Sequence, residues 1–200
     1  ELGLKTLILL RKQEKIKATK FCNNTKPTYL ILHGAGKSNR NILKQLMKSL
    51  SKNDVSSLSF DFSGQGESSN NYPSSIRKKT EEGIAAFSYL SKTEPITVCA
   101  FSMSGQVAIN LLDSKIGGRI KNLILFAPAI YAKEALLLDF GDKFSKIIKT
   151  KNSWKENNVS ELLGDFKGRL LIFFGKYDSV IPVDIPQIIF NSAYRAEEKK

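Results

Sequence analysis

A serine flanked by small residues lies near the middle of this 200-residue sequence and could act as a nucleophile. Ser102 ends an apolar run at 95–101 and is followed by a helical pattern. In a sharp strand-to-helix turn a serine hydroxyl is exposed, and the N-terminus of the next helix faces any negative charge that forms beside it. The turn requires small residues two positions before and after the serine, and Ala100 and Ser104 stand there, with Gly105 next. The spacing therefore predicts nucleophilic chemistry at Ser102.

Two serines compete for this role. If Ser104 were the nucleophile, Gln106 would occupy the crowded second small position, so the steric argument favours Ser102. A simpler interpretation makes both hydroxyls ordinary helix caps that accept hydrogen bonds from free backbone N–H groups. The stretch alone does not choose between these interpretations, because short motifs have a real false-positive rate.

Three further polar stretches follow apolar runs that are predicted strands. The first, 33–36, reads His-Gly-Ala-Gly, and its glycines let backbone amides turn toward a ligand at the carboxyl edge of a parallel sheet. The second, 61–68, holds two glycines in a tight turn. The third, 175–182, contains Asp178, whose simplest interpretation is an aspartate in a surface turn.

The elements that must position these residues alternate between strand-like and helical segments. Apolar runs predict strands, and 3.6-residue periodicity predicts helices. The predicted strands are 6–11 and 15–21, which form a hairpin at one sheet edge, then 29–32, 55–62, 95–101, 120–130 and 169–175; the predicted helices are 38–51, 76–92, the segment after Ser102, and 181–193. On the first helix, Ile42 belongs to the predicted buried face. Such alternation implies parallel strands, right-handed crossovers and helices on both faces, so we predict a doubly wound, mostly parallel α/β sheet.

Length and composition favour a single domain spanning 1–200, because 42% hydrophobic residues suffice for one well-packed core. No apolar run is long enough to span a membrane, and the apolar segment 7–10 is too short for a signal peptide. We therefore expect a soluble, cytoplasmic protein. Cys22 in a polar loop and Cys99 in a buried strand form no disulfide framework, so both are expected to be free thiols.

The sequence is basic, with 31 Lys and Arg residues against 19 Asp and Glu residues and a net charge of +12. Such a balance can favour nucleic acid, anionic lipid or an acidic substrate. The lysines are spread along the whole chain, are mixed with acidic residues and form no aromatic-basic stripe, which favours a solvated surface. We therefore expect no nucleic acid partner.

The segment 131–168 combines charged residues with apolar ones, including Trp154, and predicts short amphipathic helices. One interpretation is a small helical cap over an apolar pocket, which would favour an acyl or aryl group in a small-molecule substrate. The other is ordinary packing of these helices against the sheet, and both can hold at once.

Four motifs of this chain resemble those of the α/β-hydrolase fold superfamily, in its esterase, lipase and acyl-aminopeptidase-like branch. They are His-Gly-Ala-Gly at 33–36, Asp-Phe-Ser-Gly-Gln-Gly-Glu-Ser at 61–68, Ala-Phe-Ser-Met-Ser-Gly at 100–105, and Gly-Lys-Tyr-Asp-Ser-Val-Ile-Pro at 175–182. Each follows a predicted strand, and the resemblance extends over essentially the whole chain. It implies an α/β-hydrolase fold.

The same resemblance implies roles for individual residues. Ser102 would be the nucleophile that forms an acyl-enzyme, and Asp178 the acid that orients a catalytic histidine. The backbone N–H groups of Ala35 and Met103 would form the oxyanion hole. The residues expected to support these motifs are His33, Gly34, Gly36, Ala100, Ser104 and Gly105. The resemblance implies neither a metal nor an organic cofactor.

The histidine content departs from the family pattern. A triad needs a base, but the sequence holds one histidine, His33, and it stands in the early motif, where the family has a packing residue. We therefore expect a family member without its C-terminal segment, which would carry the catalytic histidine and the last strand. The predicted strand at 169–175 would then be an exposed sheet edge that favours self-association.

The function predicted from the sequence is a serine hydrolase acting on carboxylic esters or related acyl compounds. Ester and peptide bonds both stay open as targets, because the same triad cleaves both. The alternative is a non-catalytic protein of the same fold that binds a ligand or a partner, and the missing histidine supports it.

Overall fold

The computed structural model describes residues 3–11, 14–22 and 25–200. The strands are β1 (Gly3–Arg11), β2 (Glu14–Cys22), β3 (Tyr29–Leu32), β4 (Ser57–Phe60), β5 (Ile96–Phe101), β6 (Ile120–Phe126), β7 (Arg169–Phe173) and β8 (Glu198–Lys199). The α-helices are α1 (Lys44–Ser51), α2 (Ile76–Ala86), α3 (Ser104–Leu112), α4 (Asp142–Lys149), α5 (Val159–Leu163) and α6 (Asp184–Ser192).

The described strands form one eight-stranded sheet in the order β1-β2-β4-β3-β5-β6-β7-β8. β1 and β2 make the predicted antiparallel hairpin at one edge, and β2 also runs antiparallel to β4. The remaining neighbours are parallel. The predicted α/β sheet, mostly parallel, is therefore confirmed.

Hydrophobic cores lie on both faces of this sheet. Leu30 and Leu32 of β3 belong to the larger core, which also contains buried residues of α2, α3, α5 and α6. Ile31, which points to the opposite face, packs with Met47 of α1 in a smaller core. Because successive side chains of a strand alternate between faces, the short run Tyr29–Leu32 joins both cores.

Several predicted elements are longer than the observed ones, and one predicted core residue is wrong. The helix expected at 38–51 begins as a 3₁₀ turn, Arg40–Leu43, whose N-cap is Asn39. Ile42, which the periodicity predicts on the buried face, is 63% exposed. A 3₁₀ turn has three residues per turn, so it rotates Ile42 off the face that α1 buries.

The expectation of an exposed edge at 169–175 is also wrong. β8 pairs in parallel with β7, and the Ile172 N–H donates to the Lys200 carbonyl at 2.9 Å. The Lys200 N–H in turn donates to the Leu170 carbonyl at 3.0 Å. These bonds occupy the backbone groups on which the expected self-association rested.

Two further expectations concern cysteines and membrane spans. Cys22 and Cys99 are free, although Cys22 ends β2 rather than lying in a loop. Among the helices of the described chain, none has both the length and the apolar character that a membrane crossing requires.

The parallel strands bring all four motifs to one edge of the sheet. The segments after β3, β4, β5 and β7 begin at residues 33, 61, 102 and 174, and the carboxyl ends of parallel strands lie on the same side. This edge is where open α/β sheets bind ligands.

Candidate active site

Ser102 occupies a strained turn between β5 and α3. Its φ is +54°, a left-handed conformation that costs a residue with a Cβ on the order of 1 kcal/mol or more. The Ser102 N–H donates to the Phe126 carbonyl at 2.9 Å, and its carbonyl accepts from the N–H groups of Gly105 and Ala129 at 2.8 and 2.9 Å. These three hydrogen bonds hold the strained backbone. Ala127, which follows β6 at the same level, is also left-handed, with φ +43°.

The hydroxyl of Ser102 differs from that of Ser104 in its surroundings. Ser102 is partly exposed, and its Oγ makes no hydrogen bond to any residue that the structure describes. Ser104 is fully buried, and its Oγ donates to the His33 carbonyl. Of the two hydroxyls, therefore, only that of Ser102 is free of a hydrogen bond to the described part of the chain.

Gly105 allows α3 to pack closely on the segment that follows β6. A Cβ atom at Gly105 would lie 2.7 Å from the Cβ of Pro128, which is closer than van der Waals contact allows. The preceding Ala100 is fully buried in β5. Close packing therefore explains the glycine at 105, and full burial in β5 explains the small side chain at 100.

The loop 33–36 lies directly against Ser102. A Cβ atom at Gly34 would stand 3.4 Å from the Ser102 Cβ. The Gln65 side-chain amide donates to the carbonyls of Gly34 and Gly36 at 3.2 and 2.9 Å. With these carbonyls fixed by Gln65, the N–H of Ala35 between them makes no hydrogen bond within the described part of the chain.

Met103 supplies a second free amide at the start of α3. Its N–H, like that of Ala35, has no acceptor among the described residues. Two unpaired N–H groups in segments that flank a serine are the donors that an oxyanion hole requires. The residues assigned to nucleophile and oxyanion hole thus lie in adjoining segments.

His33 is fully buried, and both of its ring nitrogens are engaged. Nε2 accepts from the Phe62 N–H at 3.1 Å, so Nδ1 carries the proton and donates to the Gly34 carbonyl at 2.9 Å. Burial lowers the pKa of His33 to about 4, so the ring is neutral. Its edge contacts the Phe62 ring, with 5.0 Å between centroids. His33 therefore fixes the loop 33–36 and is not available as a base for Ser102.

Asp178 lies in the turn that follows β7. Its Oδ1 accepts from the N–H groups of Ile181 and Val180 at 2.9 and 2.8 Å, and these bonds lower the pKa of the carboxyl. Asp178 is therefore ionised at neutral pH. No hydrogen bond connects it to the Ser102 turn within the described residues, since β6 lies between β5 and β7.

A buried ion pair supports the loop 61–68. The Arg40 guanidinium pairs with the fully buried Asp61, and the Asp61 Oδ1 also accepts from the Arg40 N–H at 2.7 Å. Gly66 has φ +55°, and a Cβ atom there would lie 2.2 Å from the Asp61 Oδ2. The tight turn of this loop, which carries Gln65, is thus closed around the Asp61 carboxylate.

A cavity of about 560 Å³ has Ala35 and Met103 among its lining residues. Its lining includes Gln65 and Lys79, together with residues of the segment 140–148, which contains most of α4. Lys79 was not predicted, although it follows Ile76 by three residues on the buried face of α2. A lysine at that spacing on an apolar helix face is the signal that could have identified it.

One family model matches most of this chain in sequence. A family model described as serine aminopeptidase, S33, matches residues 23–163, a range that includes Ser102 and the loops 33–36 and 61–68. Asp178 lies outside the matched range. No curated protein matches the chain in sequence.

Solved structures of hydrolases share the fold. An esterase from Pyrococcus furiosus is 21% identical, with a TM-score of 0.73 over 99% of this chain and 82% of that one. A serine hydrolase from Cycloclasticus zankles is 17% identical, with a TM-score of 0.73 over 98% and 89% of the two chains. A predicted CIB-like hydrolase from Thermoplasma acidophilum is 13% identical, with a TM-score of 0.73 over 99% and 86%. At these identities the likeness establishes the fold.

Proposed function

Since the chain belongs to the serine aminopeptidase S33 family of α/β-hydrolases, we propose that it is a serine hydrolase that cleaves carboxylic esters or related acyl compounds. The observation that carries the proposal is Ser102 itself, a left-handed serine with a free hydroxyl at the start of a buried helix. Strain of this kind is concentrated at functional sites. The free amides of Ala35 and Met103 support the same conclusion.

The mechanism follows from these groups. The Ser102 Oγ attacks the acyl carbon, the hydroxyl proton passes to a general base, and the carbonyl oxygen becomes an oxyanion. The N–H groups of Ala35 and Met103 donate to that oxyanion. The bond to the leaving group then breaks, the leaving group takes the proton, and water hydrolyses the resulting ester of Ser102. Asp178 is the proposed acid that orients the base, and His33 is not that base because both its nitrogens are bonded.

The segment 131–168 is the proposed cap of this site. Phe140, Phe144 and Ile148 contribute apolar surface to the cavity, and the rings of Phe140 and Phe144 contact each other with 4.8 Å between centroids. An apolar wall of this kind favours an acyl or aryl group. An apolar portion of the substrate would be transferred from water to this wall on binding.

A non-catalytic binding protein is the second candidate. It is favoured by one observation, that no base lies within hydrogen-bond distance of the Ser102 Oγ among the described residues. In that case the same cavity would hold an acyl compound without cleaving it.

Covalent labelling separates the two candidates. The full-length gene product is treated with a fluorophosphonate probe, and we expect labelling that is lost in Ser102→Ala and kept in Ser104→Ala. Ser104 is the matched control because its hydroxyl is buried and bonded. Labelling that persists in Ser102→Ala would refute the assignment, and a folded protein that takes no label would support the binding protein.

A further inference from the structure

We propose that Lys79 binds a carboxylate inside the cavity, and that the preferred substrates are esters whose acyl portion carries a carboxylate, such as half-esters of dicarboxylic acids. The proposal rests on the function proposed above for Ser102. It adds a substrate class that follows from the charge of the cavity.

Lys79 is a buried ammonium group with incomplete partners. It is 2% exposed, and its Nζ donates to the Gln65 Oε1 at 2.7 Å. An ammonium has three N–H bonds, and this is its only hydrogen bond to a residue that the structure describes. Its Nζ also lies over the Phe62 and Phe140 rings, 4.6 and 5.6 Å from their centroids. Two donors therefore stay available on a group that lines the cavity.

The positive charge of Lys79 has no close counter-ion. No carboxylate of a described residue lies within 4.0 Å of its Nζ. The nearest acidic influence is Glu82, whose carboxylate already accepts from the hydroxyl and the N–H of Ser63. Burial raises the pKa of Glu82 and lowers that of Lys79 to about 8, so a ligand carboxylate beside the Lys79 Nζ would stabilise the charged form of this lysine. A ligand carboxylate would supply the negative charge close to the Lys79 Nζ that no described residue supplies.

The rest of the cavity surface fits this ligand. Among its described lining residues Lys79 is the one charged side chain, and none is Asp or Glu. A free α-ammonium group of a peptide substrate would therefore meet a like charge and no carboxylate. An apolar chain against the Phe140 and Phe144 rings, with an anionic group reaching Lys79, satisfies both kinds of surface.

Lys79 is also connected to the loop 33–36 through the side chain of Gln65. Gln65 accepts from Lys79 through its Oε1 and donates through its Nε2 to the Gly34, Gly36 and Ser38 carbonyls. Lys79 thus orients the side chain that holds the Ala35 peptide. A carboxylate on Lys79 would lie one hydrogen-bonded residue away from the proposed oxyanion hole.

The test measures binding without requiring turnover. Isothermal titration calorimetry compares monomethyl adipate, which carries a carboxylate, with neutral dimethyl adipate, on the full-length Ser102→Ala protein. We expect the half-ester to bind about 10- to 100-fold more tightly, the range for a charge-assisted hydrogen bond in a desolvated site. Adding Lys79→Met should abolish the preference, and adding Lys79→Arg should retain part of it.

The matched control is Lys146→Met, which removes the same charge from an exposed position on α4 outside the cavity lining. It should leave the preference unchanged. Equal binding of the two esters by the Ser102→Ala protein would overturn the proposal, and this comparison does not depend on whether Lys79→Met folds. A preference for the half-ester that survives Lys79→Met would also overturn it. Fluorophosphonate labelling without a carboxylate preference refutes only this inference, whereas the preference without labelling refutes only the hydrolase.

Discussion

Acidification should destabilise this protein through His33. The imidazole is fully buried, and the Phe62 N–H donates to its Nε2, so a second proton has no site without breaking that bond. Burial is the largest cause of the lowered pKa; nearby Lys79 and Arg40 lower it further, whereas the Gly34 carbonyl and Asp61 raise it. The folded protein therefore resists protonation where an unfolded chain accepts it.

The magnitude follows from linkage. The pKa of His33 is about 4 in the folded protein against 6.5 for a free side chain. Between these values the unfolded state binds more protons, so stability falls as the pH is lowered from 6.5 to 4. At about 1.4 kcal/mol per pH unit, the loss from this residue approaches 3 kcal/mol. Against the 5–15 kcal/mol that is typical of folded domains, that is a large fraction.

The assay benefits from the presence of a single histidine. One imidazole C2–H resonance is followed by proton NMR from pH 8 to 4, and no titration is expected near 6.5. Urea unfolding at several pH values is compared between the wild type and His33→Asn. The difference between their slopes reports His33 alone, because other titrating groups are common to both proteins.

A resonance that titrates near 6.5 in the folded protein would refute the reasoning. It would mean that Nε2 is exposed or free, and His33 would then have to be reconsidered as a general base. Equal pH slopes in the two proteins would likewise contradict the calculated loss.

The loop 61–68 supports two further predictions, both measured by urea unfolding. Gly66→Ala should lower the free energy of unfolding by about 2 kcal/mol or more, because the new Cβ meets the Asp61 carboxylate. The control is Gly36→Ala, at φ +65° with nothing within 4 Å, which should lose about 1–2 kcal/mol from backbone strain alone. Equal losses in the two variants would exclude the collision as the cause. Arg40→Met should cost about 3–5 kcal/mol, because it leaves Asp61 buried and unpaired, and adding Asp61→Asn should recover part of that loss. A loss below about 1 kcal/mol in the single variant would contradict a buried ion pair.

The sheet was predictable because its signals are local. Strand and helix alternation leaves few topologies once connections are short and right-handed, so residues 29–32 and 95–101 could be placed in one parallel sheet, although their pairing could not be predicted. β8 was missed because it has two residues, Glu198 and Lys199, and no hydrophobic periodicity. It is paired with β7 by backbone hydrogen bonds, which every residue except proline can make, so its sequence carries no signal for this pairing.

The candidate site was predictable where steric rules act within a few residues. Ala100, Ser104 and Gly105 identified the Ser102 turn because a larger residue does not fit there. Gln65 and Lys79 were missed because their roles depend on contacts between α2, the loop 61–68 and the loop 33–36, which are distant in sequence. The helical spacing after Ile76 could have indicated that Lys79 faces the core, but its contact with Gln65 is visible only in the folded chain.

The left-handed backbone at Ser102 also bears on how the sequence is maintained. Its conformational cost falls on every folded molecule, with or without a substrate, and a glycine at this position would avoid it. In a lineage released from selection for catalysis, exchange of this serine for glycine would improve stability and lose nothing. On the function proposed above, this loss of stability is the cost of placing the Ser102 hydroxyl at the turn.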